Sequence, residues 1–347
     1  MGKSNKKYAI IRFIINFVSK FLYMDKLDII RHPVGNELIE LKKLFNRSLE
    51  SSNPLLKSVL DYIAQRNGKM MRPILTLLVA KGFGTVPKAT YHVGVTLEML
   101  HTASLVHDDV VDESDERRGQ LSVNAAFNNK ISVLVGDYLL STALQHSALT
   151  MRVEVVDIIS QLGKDLSEGE ILQLSNIDNK ELSEGIYFDV IRKKTAVLFA
   201  ACAQLGALTA GASETEAERF RLFGEKVGIC FQIKDDIFDY FHDESIGKPT
   251  GNDMLEGKLT LPALYALQHT RDETMLALVP KIKSLTATTD EIARLIEFTK
   301  DNGGIEYAEE VMMRYKEDAL LLLTEVRNEE VRRALVAYME YAIEREK

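Results

Sequence analysis

Apolar residues return every third or fourth position along almost the whole chain, the spacing that gathers them on one face of an α-helix. No stretch alternates as a half-buried strand does. The pattern predicts helices over 37–49, 54–63, 72–79, 87–112, 131–149, 153–174, 188–208 and 217–241, and further helix after Leu259. Breaks fall at Gly68-Lys69, at Gly82-Phe83-Gly84, in a polar loop over 113–119, in a charged loop with glycine and proline over 243–257, and at Asp301-Asn302-Gly303-Gly304. No linker divides the chain, and no repeat with a period of about 20 to 50 residues occurs. The expected architecture is all-α: a single large helical bundle over 24–347, with its site built from facing helices.

Residues 1–23 depart from that pattern. Lys3, Lys6 and Lys7 precede an apolar run interrupted by Arg12, Asn16 and Lys20. The run is too short and too broken for a spanning helix, and it has no small-residue cleavage site. It is read as an extension outside the core; the alternative is a basic amphipathic segment making a peripheral contact with an anionic membrane.

Within the helical pattern one acidic arrangement occurs twice: Asp108-Asp109-Val110-Val111-Asp112 and Asp235-Asp236-Ile237-Phe238-Asp239. Positions i and i+4 lie one turn apart, so each copy presents carboxylates in one direction. Such crowding resists full ionisation unless cations relieve it. Solvated helix ends often carry acids, but two identical copies beside apolar helices point to Mg²⁺ held between protein and a phosphorylated substrate, since Mg²⁺ takes few carboxylates and completes its shell with phosphate oxygens.

Bases near both copies supply the counter-charge such a substrate needs. Arg117 and Arg118 follow the first copy, Lys194 with Thr195 opens an apolar helix, and Lys248 and Lys258 flank the loop after the second. Lys69, Arg72 and His101 could hold a second phosphate. Ala103 and Ser104, one turn before Asp108, are small. A floor left open there would let a deep apolar pocket run down between helices, suited to a long hydrocarbon. The rest of the composition fits a soluble helical protein with a sizeable core: 46% hydrophobic residues, and a net charge of −8 that argues against nucleic acid as partner. Cys202 and Cys230 form no CxxC pair and read as small buried hydrophobes of a reducing cytoplasm.

Several stretches together resemble the trans-isoprenyl diphosphate synthase (polyprenyl synthetase) family, most of all its bacterial long-chain, octaprenyl-type members. These are Gly-Lys-x-x-Arg-Pro, His-Thr-Ala-Ser-Leu-x-His-Asp-Asp-x-x-Asp, Arg-Arg-Gly, Lys-Thr, Gln-x-x-Asp-Asp-x-x-Asp and the pairs Gly247-Lys248 and Gly257-Lys258. The resemblance covers the chain from about Gly35 onward and implies an isoprenoid-synthase bundle that acts as a cytoplasmic homodimer. It implies that Lys69, Arg72, His101 and Arg118 bind isopentenyl diphosphate. Asp108, Asp109, Asp112, Asp235 and Asp239 would hold two or three Mg²⁺ ions against an allylic diphosphate. Arg117, Lys194 and Lys258 would contact that diphosphate, with Thr195, Gln232 and Lys248 at the same end and Asp236 among the catalytic set. In short-chain relatives, bulky aromatics near the positions of Ala103 and Ser104 close the pocket. Their absence implies a product of C30–C50, near C40, for a quinone side chain, and a membrane contact through residues 1–23 would then serve product release.

Other classes account for less. A short-chain (C15–C20) synthase is the nearest alternative. A class I terpene cyclase would share one aspartate motif, but its second metal motif differs. An HD-type phosphohydrolase could use His107-Asp108 with His92, His101 and His146, yet leaves the second motif and the bases unexplained. A non-catalytic synthase subunit would lack the aspartates that this chain keeps.

Overall fold

The computed structural model describes residues 25–65, 68–117, 119–177, 182–241 and 250–345. The extension expected over 1–23, with its membrane contact, lies outside them. Eighteen α-helices follow one another in the described residues. They are α1 (Lys26–Arg31), α2 (Gly35–Ser48), α3 (Pro54–Ala64), α4 (Met71–Gly82), α5 (Lys88–Val111), α6 (Val123–Phe127), α7 (Asn129–Leu149), α8 (Val153–Ile177) and α9 (Glu184–Ile191). Then come α10 (Val197–Thr209), α11 (Glu214–Phe238), α12 (Asn252–Leu255), α13 (Leu261–Gln268), α14 (Glu273–Leu276), α15 (Leu278–Lys283), α16 (Thr289–Asp301), α17 (Gly304–Leu321) and α18 (Glu329–Glu344). The helix ends follow local chemistry. Asn53 caps α3 with Pro54 at its first position, and Ser213 with Glu216 forms a reciprocal cap at the start of α11.

The bundle is organised around α10, whose sequence is apolar on every side and almost wholly buried. It packs against α4, α5, α8 and α11, while α5 pairs with α7, α11 with α17, and α18 with α1, α4 and α11. The α10–α11 contact is made at backbone distance: a Cβ on Gly224 would lie 2.3 Å from the Phe199 carbonyl oxygen. Both cysteines are buried in this region as free thiols. Among the described residues no helix is long and apolar enough to cross a membrane.

Several details differ from the helical expectation: α1, α6 and α12 are short helices where none was expected, α12 lying inside the loop expected over 243–257. The polar loop after α5 contains a hairpin of two-residue strands, β1 (Glu116–Arg117) and β2 (Gln120–Leu121), too short to leave an alternating pattern. The helix expected over 188–208 is interrupted by a π turn at Arg192–Ala196, so Lys194 and Thr195 lie inside that turn.

Candidate active site

Both aspartate motifs sit at helix C-termini. Asp112 caps α5, its N–H donating to the Asp108 carbonyl at 2.8 Å, and Asp239 caps α11. The helix dipole is negative at these ends and disfavours anions there by about 0.3–1 kcal/mol each. Two sets of carboxylates placed against the dipole are poor capping chemistry and good cation-binding chemistry.

The members of the first motif have distinct surroundings. Asp109 is 3% exposed and accepts from Arg117 Nε at 2.7 Å; Arg117 lies on β1, so the small hairpin holds this guanidinium against the helix end. Asp108 is half-buried, and its carboxyl pKa is pushed up to about 6. Burial is the main cause; Glu170 and Asp112 add to it, and Lys194 and Arg117 oppose it.

Opposite stands the π turn, a feature often found at functional sites. Gly169 of α8 makes room for it, since a Cβ there would lie 2.9 Å from the Lys194 backbone nitrogen. Lys194 Nζ pairs with Glu170 Oε2 at 2.6 Å. Thr195 Oγ1 donates to Gln232 Oε1 at 2.8 Å, Gln232 Nε2 donates to Asp236 Oδ1 at 2.8 Å, and the Tyr187 hydroxyl donates to Asp236 Oδ2 at 2.6 Å. Asp236 is buried, and its pKa is raised by that burial and by Asp253 nearby.

The second motif also divides. Asp235 is paired with Arg345, and Asp239 accepts the backbone N–H groups of Asn252 and Asp253 at 3.0 and 3.1 Å, fixing the start of α12. Asp253 is pushed up to about 7 by burial first, then by Asp239. Lys258 is held protonated: burial works against its charge, but Glu256, Asp253 and Asp112 together outweigh it. It therefore feels carboxylates from both sides of the mouth. A cavity of about 170 Å³ is lined by Lys194, Thr195, Gln232, Asp236, Asp253 and Lys258, among others.

A second basic cluster forms where α4, α5 and α18 meet. Arg72 Nη1 is 2.9 Å from His101 Nε2, and Lys69 Nζ donates to the Tyr341 hydroxyl at 2.6 Å. Met70 between them takes a left-handed φ of 52°, which turns the chain sharply into α4. His101 stands two turns below Asp108 on nearly the same face of α5, so this cluster adjoins the first motif. Arg118 and Lys248, expected in the two clusters, lie outside the described residues. Ala103 is fully buried and Ser104 half-buried, its hydroxyl on the His101 carbonyl. The histidines that the phosphohydrolase reading needed are engaged elsewhere: His92 with His146, and His101 with Arg72.

Sequence reasoning misses four residues of this region: Glu170, Tyr187, Asp253 and Arg345. Glu170 carried a signal, an acid on the face of a helix that is apolar on either side of it, and Asp253 stands just before Gly257-Lys258. Tyr187 and Arg345 carried none, since helical phase and tertiary approach bring them in.

Among the described residues no three His, Cys, Asp or Glu side chains converge into a ready-made metal cage. The donors are hard oxygens, few on each side, beside bases that would hold phosphate. That is the donor set of Mg²⁺, which binds through one or two carboxylates and takes other ligands from substrate and water. Burial disfavours the ionised form of Asp108, with Glu170 and Asp112 adding to it, and a cation held there would favour that form again. The residues fit such an ion.

Known proteins with this arrangement agree on a family. The polyprenyl synthetase family model matches residues 53–299. The chain is 37% identical over 272 residues to the octaprenyl diphosphate synthase of Haemophilus influenzae, covering 78% of this chain and 82% of that one. A geranylgeranyl pyrophosphate synthase structure from Bacteroides thetaiotaomicron superimposes with a TM-score of 0.82 at 53% identity, covering 93% of this chain and all of that one. A polyprenyl synthase from Caulobacter crescentus, solved with calcium and isoprenyl diphosphate, gives 0.85 at 29% identity over 92% of this chain and 98% of that one. This chain belongs to the polyprenyl synthetase family, a metal-dependent family of all-helical enzymes, and is a prenyltransferase that makes trans-prenyl diphosphates.

Proposed function

We propose that this enzyme elongates farnesyl or geranylgeranyl diphosphate with isopentenyl diphosphate, head to tail and with Mg²⁺, to a product of C30–C50, near C40, of the length used in quinone side chains. The observation that carries this reading is a shared mouth. Carboxylates at two helix C-termini face the bases Lys194 and Lys258, and a separate cluster of Lys69, Arg72 and His101 adjoins them.

Asp108, Asp109, Asp112, Asp235 and Asp239 would hold Mg²⁺ between them; Asp109 and Asp239 also tie this end to Arg117 and to the start of α12. Bound there, Mg²⁺ would neutralise the allylic diphosphate as it leaves. Lys194, Lys258 and Arg117 add fixed positive charge at the same end. As the allylic C–O bond breaks, its electron pair goes to diphosphate. The double bond of isopentenyl diphosphate, positioned by Lys69, Arg72, His101 and Arg118, forms the new C–C bond at the allylic carbon. The proton then lost from the isopentenyl unit passes to the departing pyrophosphate. Thr195 and Gln232, held by Asp236, present aligned dipoles to the developing cation, beside Val190, Ile191 and Leu264 in the same cavity.

Small Ala103 and half-buried Ser104 support a long product, as do the octaprenyl-type relatives. A C20 product is the second reading, favoured by the likeness to the Bacteroides geranylgeranyl pyrophosphate synthase. Exposed Leu134 and Leu144 on α7 support a homodimer, testable by solution mass. Purified protein with Mg²⁺, farnesyl diphosphate and labelled isopentenyl diphosphate should give a ladder ending near C40. A ladder stopping at C20 supports the second reading, and no elongation overturns both.

A further inference from the structure

Arg345 caps the C-terminus of α18, with φ −55° and ψ 137°, and its side chain reaches the neighbouring helix α11. Its Nη2 donates to Asp235 Oδ1 at 2.6 Å and to the Phe231 carbonyl at 3.1 Å. The guanidinium stacks on Phe231 at 3.6 Å and is 15% exposed, whereas Asp235 is 43% exposed. Arg345 Nε is buried without a hydrogen-bond partner. One turn earlier, Tyr341 accepts from Lys69. A single turn of α18 therefore touches a base of one phosphate cluster and an acid of the opposing aspartate motif.

A permanent Arg–carboxylate pair typically uses two parallel N–H donors. Here one nitrogen serves both acceptors, and the inner N–H is left unsatisfied. The arrangement has what a stand-in needs: a monovalent cation, preorganised by ring stacking, on one oxygen of a carboxylate at a helix C-terminus, where positive charge is favoured.

We propose that Arg345 is the resident counter-cation of the second aspartate motif, so that metal entry at Asp235 and the Arg345–Asp235 pair exclude each other. This rests on the reading that Asp235 binds metal. A divalent ion on Oδ1 requires the guanidinium to withdraw, so the pair weakens metal binding in the absence of substrate and supplies positive charge to Asp235 when no ion is bound. Arg345 is thus a positioning residue whose effect is read in metal affinity and not only in turnover.

The test uses the full chain, with Mn²⁺ as the probe ion and no diphosphate, free Mn²⁺ being counted by electron paramagnetic resonance. Arg345→Gln should bind Mn²⁺ about fivefold more tightly than the unaltered protein, the upper range for a partly exposed ion pair. Arg345→Lys should fall between them. In an Asp235→Asn background the Arg345→Gln gain should vanish. Arg345→Met, which keeps the apolar stack on Phe231, replaces the Gln variant if that one does not fold. Equal or weaker Mn²⁺ binding in the charge-removed variants, in a protein whose Mn²⁺ binding depends on Asp235, overturns the proposal alone. Mn²⁺ binding that is unaffected by Asp235→Asn, even with inorganic pyrophosphate present, overturns the metal reading beneath it.

Discussion

The Tyr187 hydroxyl and Asp236 Oδ2 are joined at 2.6 Å, while Gln232 holds the other Asp236 oxygen. Asp236 is thereby the buried post on which the Gln232–Thr195 arm is hung. Tyr187→Phe leaves a buried carboxylate oxygen short of a donor, an omission that costs about 1–3 kcal/mol. The expected result is a fall in kcat of about tenfold with the KM for isopentenyl diphosphate within about twofold, because the arm faces the reacting end and not the second phosphate cluster. Steady-state kinetics with each substrate varied in turn checks the split. A rise confined to the KM for isopentenyl diphosphate contradicts it.

Asp108 makes stability depend on pH in a sense opposite to that of a salt-bridged carboxylate. Its pKa rises from the ordinary 3.8 to about 6 on folding, chiefly through burial. The folded protein therefore holds more protons than the unfolded chain between these values, and stability falls as pH rises from about 4 to about 6. Asp253, pushed up to about 7, extends the fall towards neutrality. The metal-free melting temperature should drop across this window. Mg²⁺ with pyrophosphate should restore more of it at pH 7.5 than at pH 5, since cation and proton compete for the same oxygens. Asp108→Asn should flatten the lower part of the curve while abolishing prenyl transfer. Melting curves across pH, with and without Mg²⁺ and pyrophosphate, decide it.

Ala103 is fully buried, so added bulk there meets packed neighbours as well as any hydrocarbon. Ala103→Phe should shorten the product and cost about 1–3 kcal/mol of stability through overpacking. Ser104→Phe, at a half-buried position, should shorten the product with a smaller loss of stability. Chromatography of the dephosphorylated products gives the lengths; an unchanged distribution in both variants would remove this wall from the control of chain length.

Lys69 is tied to Tyr341 and stands in the cluster of Arg72 and His101. Lys69→Ala should raise the KM for isopentenyl diphosphate about tenfold or more, the range for losing a hydrogen bond to a charged group, and leave the KM for the allylic primer nearly unchanged. Equal effects on both substrates would place Lys69 outside a dedicated second site.

The helices were legible because apolar spacing survives almost everywhere, and the aspartate motifs because their spacing matches one helical turn. The π turn was not, since Arg192 to Ala196 reads as ordinary helix and only its close approach to Gly169 and α11 reveals the extra residue. The separate surroundings of aspartates within each motif were equally hidden. Asp109 and Asp236 are distinguished from Asp108 and Asp235 by Arg117 and Tyr187, which come from other elements. Lys69 and Tyr341, far apart in sequence, meet only because α18 returns to α4.

The π turn also sets a limit on how this enzyme can vary. One residue in a helix is worth about 100° of rotation. Deleting any one position between Arg192 and Ala196 would leave a more regular helix, yet it would swing α9 and everything before the deletion out of phase with α10 and everything after it. Either Lys194 and Thr195 would turn from the mouth, or Tyr187 would lose its line to Asp236. The segment can exchange side chains freely on its outer face, but its length is fixed, because the chemistry depends on angular register across the insertion as much as on which residues are present.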